Sequence, residues 1–154
     1  MPHPSSAAAT PIQPSPPSDR AARRTALCWR LAALCWAAVM AWGCLQEAGG
    51  PATGWLRLPL PHQDKLAHAG MHALLAWLLW RGVRAGRAER PSSATAACIV
   101  GLCAAWGLAI EWGQWQFTLT RSAEALDVLA NTVGAVIGVM LGLWSTRQHT
   151  ASLP

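Results

Sequence analysis

Residues 110–138 read IEWGQWQFTLTRSAEALDVLANTVGAVIG. Glu111, Gln114, Arg121, Asp127 and Asn131 stand between and inside two otherwise apolar segments. Ionisable side chains are costly within a bilayer, so in a membrane-spanning segment they are functional candidates by default. A second polar group, Asp64, Lys65 and His68, opens another apolar run upstream. The fold therefore turns on whether these apolar runs cross a membrane.

Composition says that they do. Hydrophobic residues make up 53% of the 154 and charged ones 12%, about half the charged share usual in soluble domains. Ten Trp beside one Phe and no Tyr suit amphipathic rings seated at membrane interfaces. The net charge of +5 does not make a nucleic-acid binder, because no basic stripe interleaves with aromatics and no binding motif is present. Cys28, Cys35, Cys44, Cys98 and Cys103 fall in or beside apolar runs. Their spacing matches neither a zinc site nor a redox CxxC pair, so they read as small hydrophobes.

Taken in order, the chain begins with a Pro-, Ser- and Ala-rich stretch that has no apolar period to bury. Residues 1–24 are expected to form a disordered cytoplasmic tail. An apolar run from Thr25 to Leu45 follows, interrupted by Arg30, whose side chain can snorkel toward the nearby basic end. At 1.5 Å per residue the run covers about 30 Å, enough to cross the hydrocarbon core. No small-x-small cleavage site follows it, so an uncleaved helix is expected rather than a signal peptide. A Pro- and Gly-rich loop leads to Asp64–Lys65 and the run Leu66–Trp80, which holds His68 and His72. Extended from Gln63 to Arg84 it is long enough to span, with Trp77 and Trp80 expected at the inner interface. Pro91, Ser92 and Ser93 are helix-start residues for a third segment over 94–115, and a fourth covers 126–144. Residues 25–145 thus form one all-α, four-helix transmembrane domain, and 146–154 a short cytoplasmic tail.

Arg20, Arg23, Arg24, Arg30, Arg81, Arg84, Arg87, Arg90 and Arg147 fall on one side of this topology. Arg57, Lys65 and Arg121 fall on the other, so the positive-inside rule puts both termini in the cytoplasm. Asp64, Lys65 and His68 then start the second helix at its outer end. Glu111 and Gln114 finish the third at the same level, and Asp127 and Asn131 start the fourth there. Asp127, Asn131, Gly134, Gly138 and Gly142 share a stripe about 80° wide, and Asp64, Lys65, His68 and His72 a sector of about 100°. The GxxxGxxxG run lets a neighbouring backbone approach closely, so the packing face also carries the acid and the amide.

Three pieces, Asp64-Lys65-x-x-His68, Ile110-Glu111-x-x-Gln114 and Arg121-x5-Asp127-x3-Asn131-Thr132-x-Gly134 with Gly138, together resemble the VanZ-like family of small bacterial membrane proteins. The family is named for a teicoplanin-resistance protein. The resemblance covers roughly residues 60–140. It implies a bundle of transmembrane helices in the bacterial plasma membrane and a link to glycopeptide tolerance. Such proteins usually carry Pro-Gly before the arginine, where this chain has Leu119-Thr120.

Each candidate residue has a structural alternative. Arg121 and Asp127 pair to lock the bundle, or Arg121 and Lys65 anchor an anionic lipid headgroup or envelope component. His68 and Glu111 tie two helices together, or form a pH-sensitive acid–base pair oriented by Asp64. Ser122 is the nearest hydroxyl, without an identified base. His68 and His72 at i, i+4 with Glu111 have zinc-like ligand types, but helix-borne His pairs arise often without metal, and no metal or cofactor is assigned. Trp112 and Trp115 anchor the interface or stack on a ligand. The expected site is Asp64, Lys65, His68, Glu111, Gln114, Arg121, Asp127 and Asn131, with Gly134, Gly138 and Gly142 for helix packing. Its expected role is non-catalytic binding. The alternatives are an intramembrane hydrolase or transferase on a lipid-linked substrate, using His68, Glu111 and Asp64, and an assembly factor docking on membrane partners through the glycine stripe.

Overall fold

Among the described residues, the computed structural model forms four α-helices: α1 (Asp19–Cys44), α2 (Gln63–Ala85), α3 (Ser93–Phe117) and α4 (Ala125–Ala151). The structure describes residues 19–46, 62–87, 91–119 and 124–151, the last with side chains to Ser145. Residues 1–18 of the expected tail lie outside these. Residues 19–24, also expected in the tail, are helical instead, because Arg and Ala are strong helix formers and Asp19 favours the helix start. At the other end, α4 continues through residues expected in the C-terminal tail, to Ala151. Ser92 caps α3 as its sequence predicts, its Oγ accepting the Thr95 N–H at 3.2 Å.

The helices alternate in direction. At one end Arg81 of α2 lies over the ring of Trp29 from α1, 4.8 Å from its centroid, and Trp29 meets Trp77 edge to face. At the opposite end Gln114 of α3 donates to the Cys44 carbonyl of α1 at 2.9 Å. Midway, the Trp36 indole N–H donates to the Met71 carbonyl. These cross-links fix α2 as the central element, packed on α1, α3 and most extensively on α4.

The α2–α4 contact is made by glycine. A Cβ at Gly134 would overlap the Ala69 carbonyl, one at Gly138 the Ala73 carbonyl, and one at Gly142 the Trp80 ring. The stripe is therefore filled from within the chain, which removes it as the docking surface of an assembly factor. Trp80 is correspondingly a core residue, 1% exposed. The interfacial seat expected for it is overturned because its ring takes the space over Gly142. Trp77 is partly buried against the same core.

Leu31, Leu34, Leu102, Leu108, Leu129 and Met140 point outward from α1, α3 and α4, and those three helices are long and apolar enough to cross a membrane. An apolar exterior of this extent suits lipid rather than water. The α2 helix carries Asp64, Lys65, two His and two Arg; its neighbours bury His68 and His72 and partly cover Lys65, Arg81 and Arg84, while Asp64 stays exposed at the helix start.

Close approach at Gly138 yields the first prediction. Gly138→Ala should destabilise the detergent-solubilised protein by about 1–3 kcal/mol through overpacking. Gly70→Ala, where an added Cβ meets nothing within 4 Å, should be neutral or gain up to about 1 kcal/mol of helix propensity. Thermal melting of the two variants side by side measures the difference.

Candidate functional site

The polar side chains of α2, α3 and α4 meet at the end where α2 and α4 begin and α3 finishes. Lys65 donates to Asp64 at 2.8 Å, to Glu124 at 2.9 Å and to Asp127 at 3.1 Å. Below this layer His68 Nδ1 stands 3.1 Å from Asn131 Oδ1 and 3.7 Å from Glu111 Oε1. Burial increases along this descent. The side chains of Asp64 and Glu124 are half exposed, and Asp127 and Glu111 are 10% and 4% exposed. Asn131 is completely buried.

Local structure explains each placement. Glu124 closes the first turn of α4, its carbonyl accepting from the Asp127 N–H at 3.0 Å. Its own N–H donates to Glu111 Oε2 at 3.2 Å, so one carboxylate oxygen of α3 satisfies a backbone donor at the start of α4. The other oxygen, Glu111 Oε1, is buried and accepts no hydrogen bond. Asn131 fits because residue 107 of α3 is glycine: a Cβ there would lie 2.5 Å from Asn131 Nδ2. That amide nitrogen is also buried without a partner. Unsatisfied buried polar atoms are uncommon in native proteins, and each calls for a physical reason.

The other residues expected at the site fare differently. Gln114 reaches the right end of the bundle but turns to Cys44 of α1, away from the acids. Asp64 belongs to the exposed rim, engaged by Lys65. Lys65 itself is held by three carboxylates, which use the three donors of its ammonium. Arg121 and Ser122 lie outside the described residues. His72 Nδ1–H donates to the His68 carbonyl at 3.0 Å, one turn below the pocket, and the cluster of possible ligand atoms includes His68 without His72. Glu124 is the participant that sequence reasoning misses. Its only signal is position, three residues before Asp127 on the polar link.

Beside the cluster, between α3 and α4, runs a groove of about 270 Å³ lined by Leu108, Trp112, Trp115, Ala125 and Val128, with Glu111 and Glu124 at its polar end. Trp112 and Trp115 present most of their surface outward, and Trp112 is braced edge to face by Phe117.

Fold and site together define an all-helical multi-pass membrane protein with a carboxylate-rich polar centre buried at one end of its bundle. The chain belongs to the VanZ/LLP1 family, whose model matches residues 29–146 and so takes in all three motifs on which the resemblance rests. No curated protein and no solved structure matches it.

The Lys65 contacts generate a second prediction. Lys65→Met leaves Asp127 partly buried without its counter-charge and should cost about 3 kcal/mol in thermal or denaturant melts. Asp64→Asn removes only the exposed member and should cost less than about 1 kcal/mol. Equal losses in the two melts would contradict this ranking.

Proposed function

We propose that this protein is a four-helix integral membrane protein of the bacterial plasma membrane with both termini cytoplasmic, and that its outer polar site binds a cell-envelope component or lipid headgroup. The carrying observation is the groove between α3 and α4, which joins an apolar, Trp-lined surface to the Glu111 and Glu124 carboxylates. Part of an acyl or prenyl chain would lie along its apolar side, with the headgroup at the acids. Ligand sites of this kind combine mostly apolar lining with a few convergent polar groups. Glycopeptide tolerance, implied by the family resemblance, is the proposed consequence of occupying a lipid-linked envelope precursor.

Charge narrows the headgroup. Among the described residues four carboxylates face one ammonium, and that ammonium is already engaged. The headgroup therefore donates hydrogen bonds, carries positive charge, or arrives with a cation. The anion-anchoring role falls to Arg121. Binding is favoured over catalysis because His68 Nδ1 is engaged by Asn131 and one Glu111 oxygen by the Glu124 N–H, which leaves Glu111 Oε1 as the group to meet a ligand. The intramembrane hydrolase or transferase reading keeps one supporting observation, the 3.7 Å approach of His68 to Glu111.

The fourth crossing and the orientation rest on the arginine distribution and on the length of α2, 23 residues or about 35 Å. In a background lacking the native cysteines, a cysteine at position 88 should react with an impermeant reagent only after cells are opened. One at Gln63 should react in intact cells. The reverse pattern would overturn the orientation.

Ligand binding is tested by purifying the full chain in mild detergent and identifying co-purified lipid by mass. The wild type should retain a specific envelope lipid, and Glu111→Gln should retain severalfold less while still giving a cooperative melt. Equal retention by the folded variant would exclude Glu111 from the site. Turnover of that lipid, abolished by the same substitution, would support the enzyme reading instead.

A further inference from the structure

The deepest part of the polar centre has the composition and spacing of a cation site. A ring nitrogen of His68, a Glu111 carboxylate oxygen and an Asp127 carboxylate oxygen, one from each of three helices, lie within 4.8 Å of one another, and all three residues are buried; His68 Nδ1 is 3.7 Å from Glu111 Oε1. Asn131 Oδ1 stands 3.1 Å from His68 Nδ1. Ligands bound to one ion at about 2.0–2.2 Å lie roughly 3.0–3.6 Å apart, so the 3.1 and 3.7 Å separations need only small adjustment.

The second observation is independent of that spacing. Glu111 Oε1, on a side chain 4% exposed, faces His68 and accepts no hydrogen bond. A buried carboxylate oxygen without a donor is expensive, and a cation would satisfy it. The charge balance among the described residues runs the same way, since Lys65, the cation paired with Asp127, is shared with Asp64 and Glu124.

We propose that His68, Glu111, Asp127 and Asn131 form a binding site for one divalent transition-metal ion, of which Zn2+ and Mn2+ fit the one-nitrogen, three-oxygen donor set. To bind, His68 presents the Nδ1 lone pair and keeps its ring proton on Nε2; any proton on Nδ1 passes to solvent. Asn131 Oδ1 then turns from His68 to the ion. His72 is not counted among the ligands, because the cluster within 4.8 Å is formed by His68, Glu111 and Asp127, while His72 donates its Nδ1–H back to the His68 carbonyl one turn away. Lys65 is a competitor, since its ammonium sits 3.1 Å from Asp127 Oδ1. The site goes beyond the lipid-binding reading and does not depend on it. If both hold, the ion's open coordination positions are where an anionic headgroup would attach.

The test uses the untagged full chain, stripped with chelator in detergent without added lipid. Zn2+ should bind at about one per chain after desalting, by elemental analysis, and raise the melting temperature. Glu111→Gln and Asp127→Asn should each weaken binding by roughly 100-fold, at or above the upper end for second-shell losses. Lys65→Met should bind Zn2+ more tightly than the wild type and regain much of its lost melting temperature, a response that a purely structural ion pair would not give. If the carboxylate variants do not fold, Co2+ bound to the wild type decides. Visible d–d bands without a thiolate charge-transfer band support N/O ligation, whereas no bands, or a thiolate band from the cysteines, overturns the site. Wild-type protein that retains no Zn2+, or a folded Glu111→Gln that retains it fully, also overturns it. Loss of lipid retention with metal binding intact would sink the lipid-binding reading alone.

Discussion

Backbone contact between α2 and α4 is the constraint from which the rest follows. Gly134 and Gly138 let the α4 axis come so near that the Ala69 and Ala73 carbonyls occupy the space a side chain would need. Only at that separation does His68, one residue before Ala69, reach Asn131 across the interface. Without water in the surroundings, close packing and internal hydrogen bonds carry helix association. The same contact that holds the bundle therefore assembles its polar centre.

The centre is graded rather than uniform. Asp64 and Glu124 occupy a hydrated rim, Lys65 and Asp127 an intermediate layer, and His68, Glu111 and Asn131 a dry floor. Exposed pairs contribute little to stability, whereas buried ones contribute or cost a great deal depending on how completely they are paired. The incomplete pairing lies on the floor, at Glu111 Oε1 and Asn131 Nδ2. The proposed binding site lies there, next to a groove open to the apolar surface. The rim organises charge around it.

Much of this is legible in the chain. Four helical segments are readable from their apolar runs, α2 and α3 to within two residues, whereas α1 begins six residues earlier and α4 ends seven later than those runs. The Ser92 cap is readable because a hydroxyl beside Pro91 has one favourable use there. The VanZ-like motifs identify the family because three spaced pieces rarely agree by accident. Trp80 misleads: an inner-interface tryptophan and a core tryptophan look alike until Gly142 is seen beneath the ring. Gln114 has the right height along α3 for the pocket, but its azimuth turns it to Cys44. Glu124 escapes notice because an acid in a polar link carries no periodic signal.

Composition and periodicity alone determined that this chain is helical, that its helices alternate across a membrane-like span, and that acids, amide and histidine gather at one end. Those properties are one-dimensional, set by run length and by spacing along each helix. Which polar groups touch was decided only in three dimensions. The rotation of each helix about its axis, fixed here by glycine contacts, assigns Lys65 to three carboxylates, His72 to its own helix, and His68 to Asn131 and Glu111.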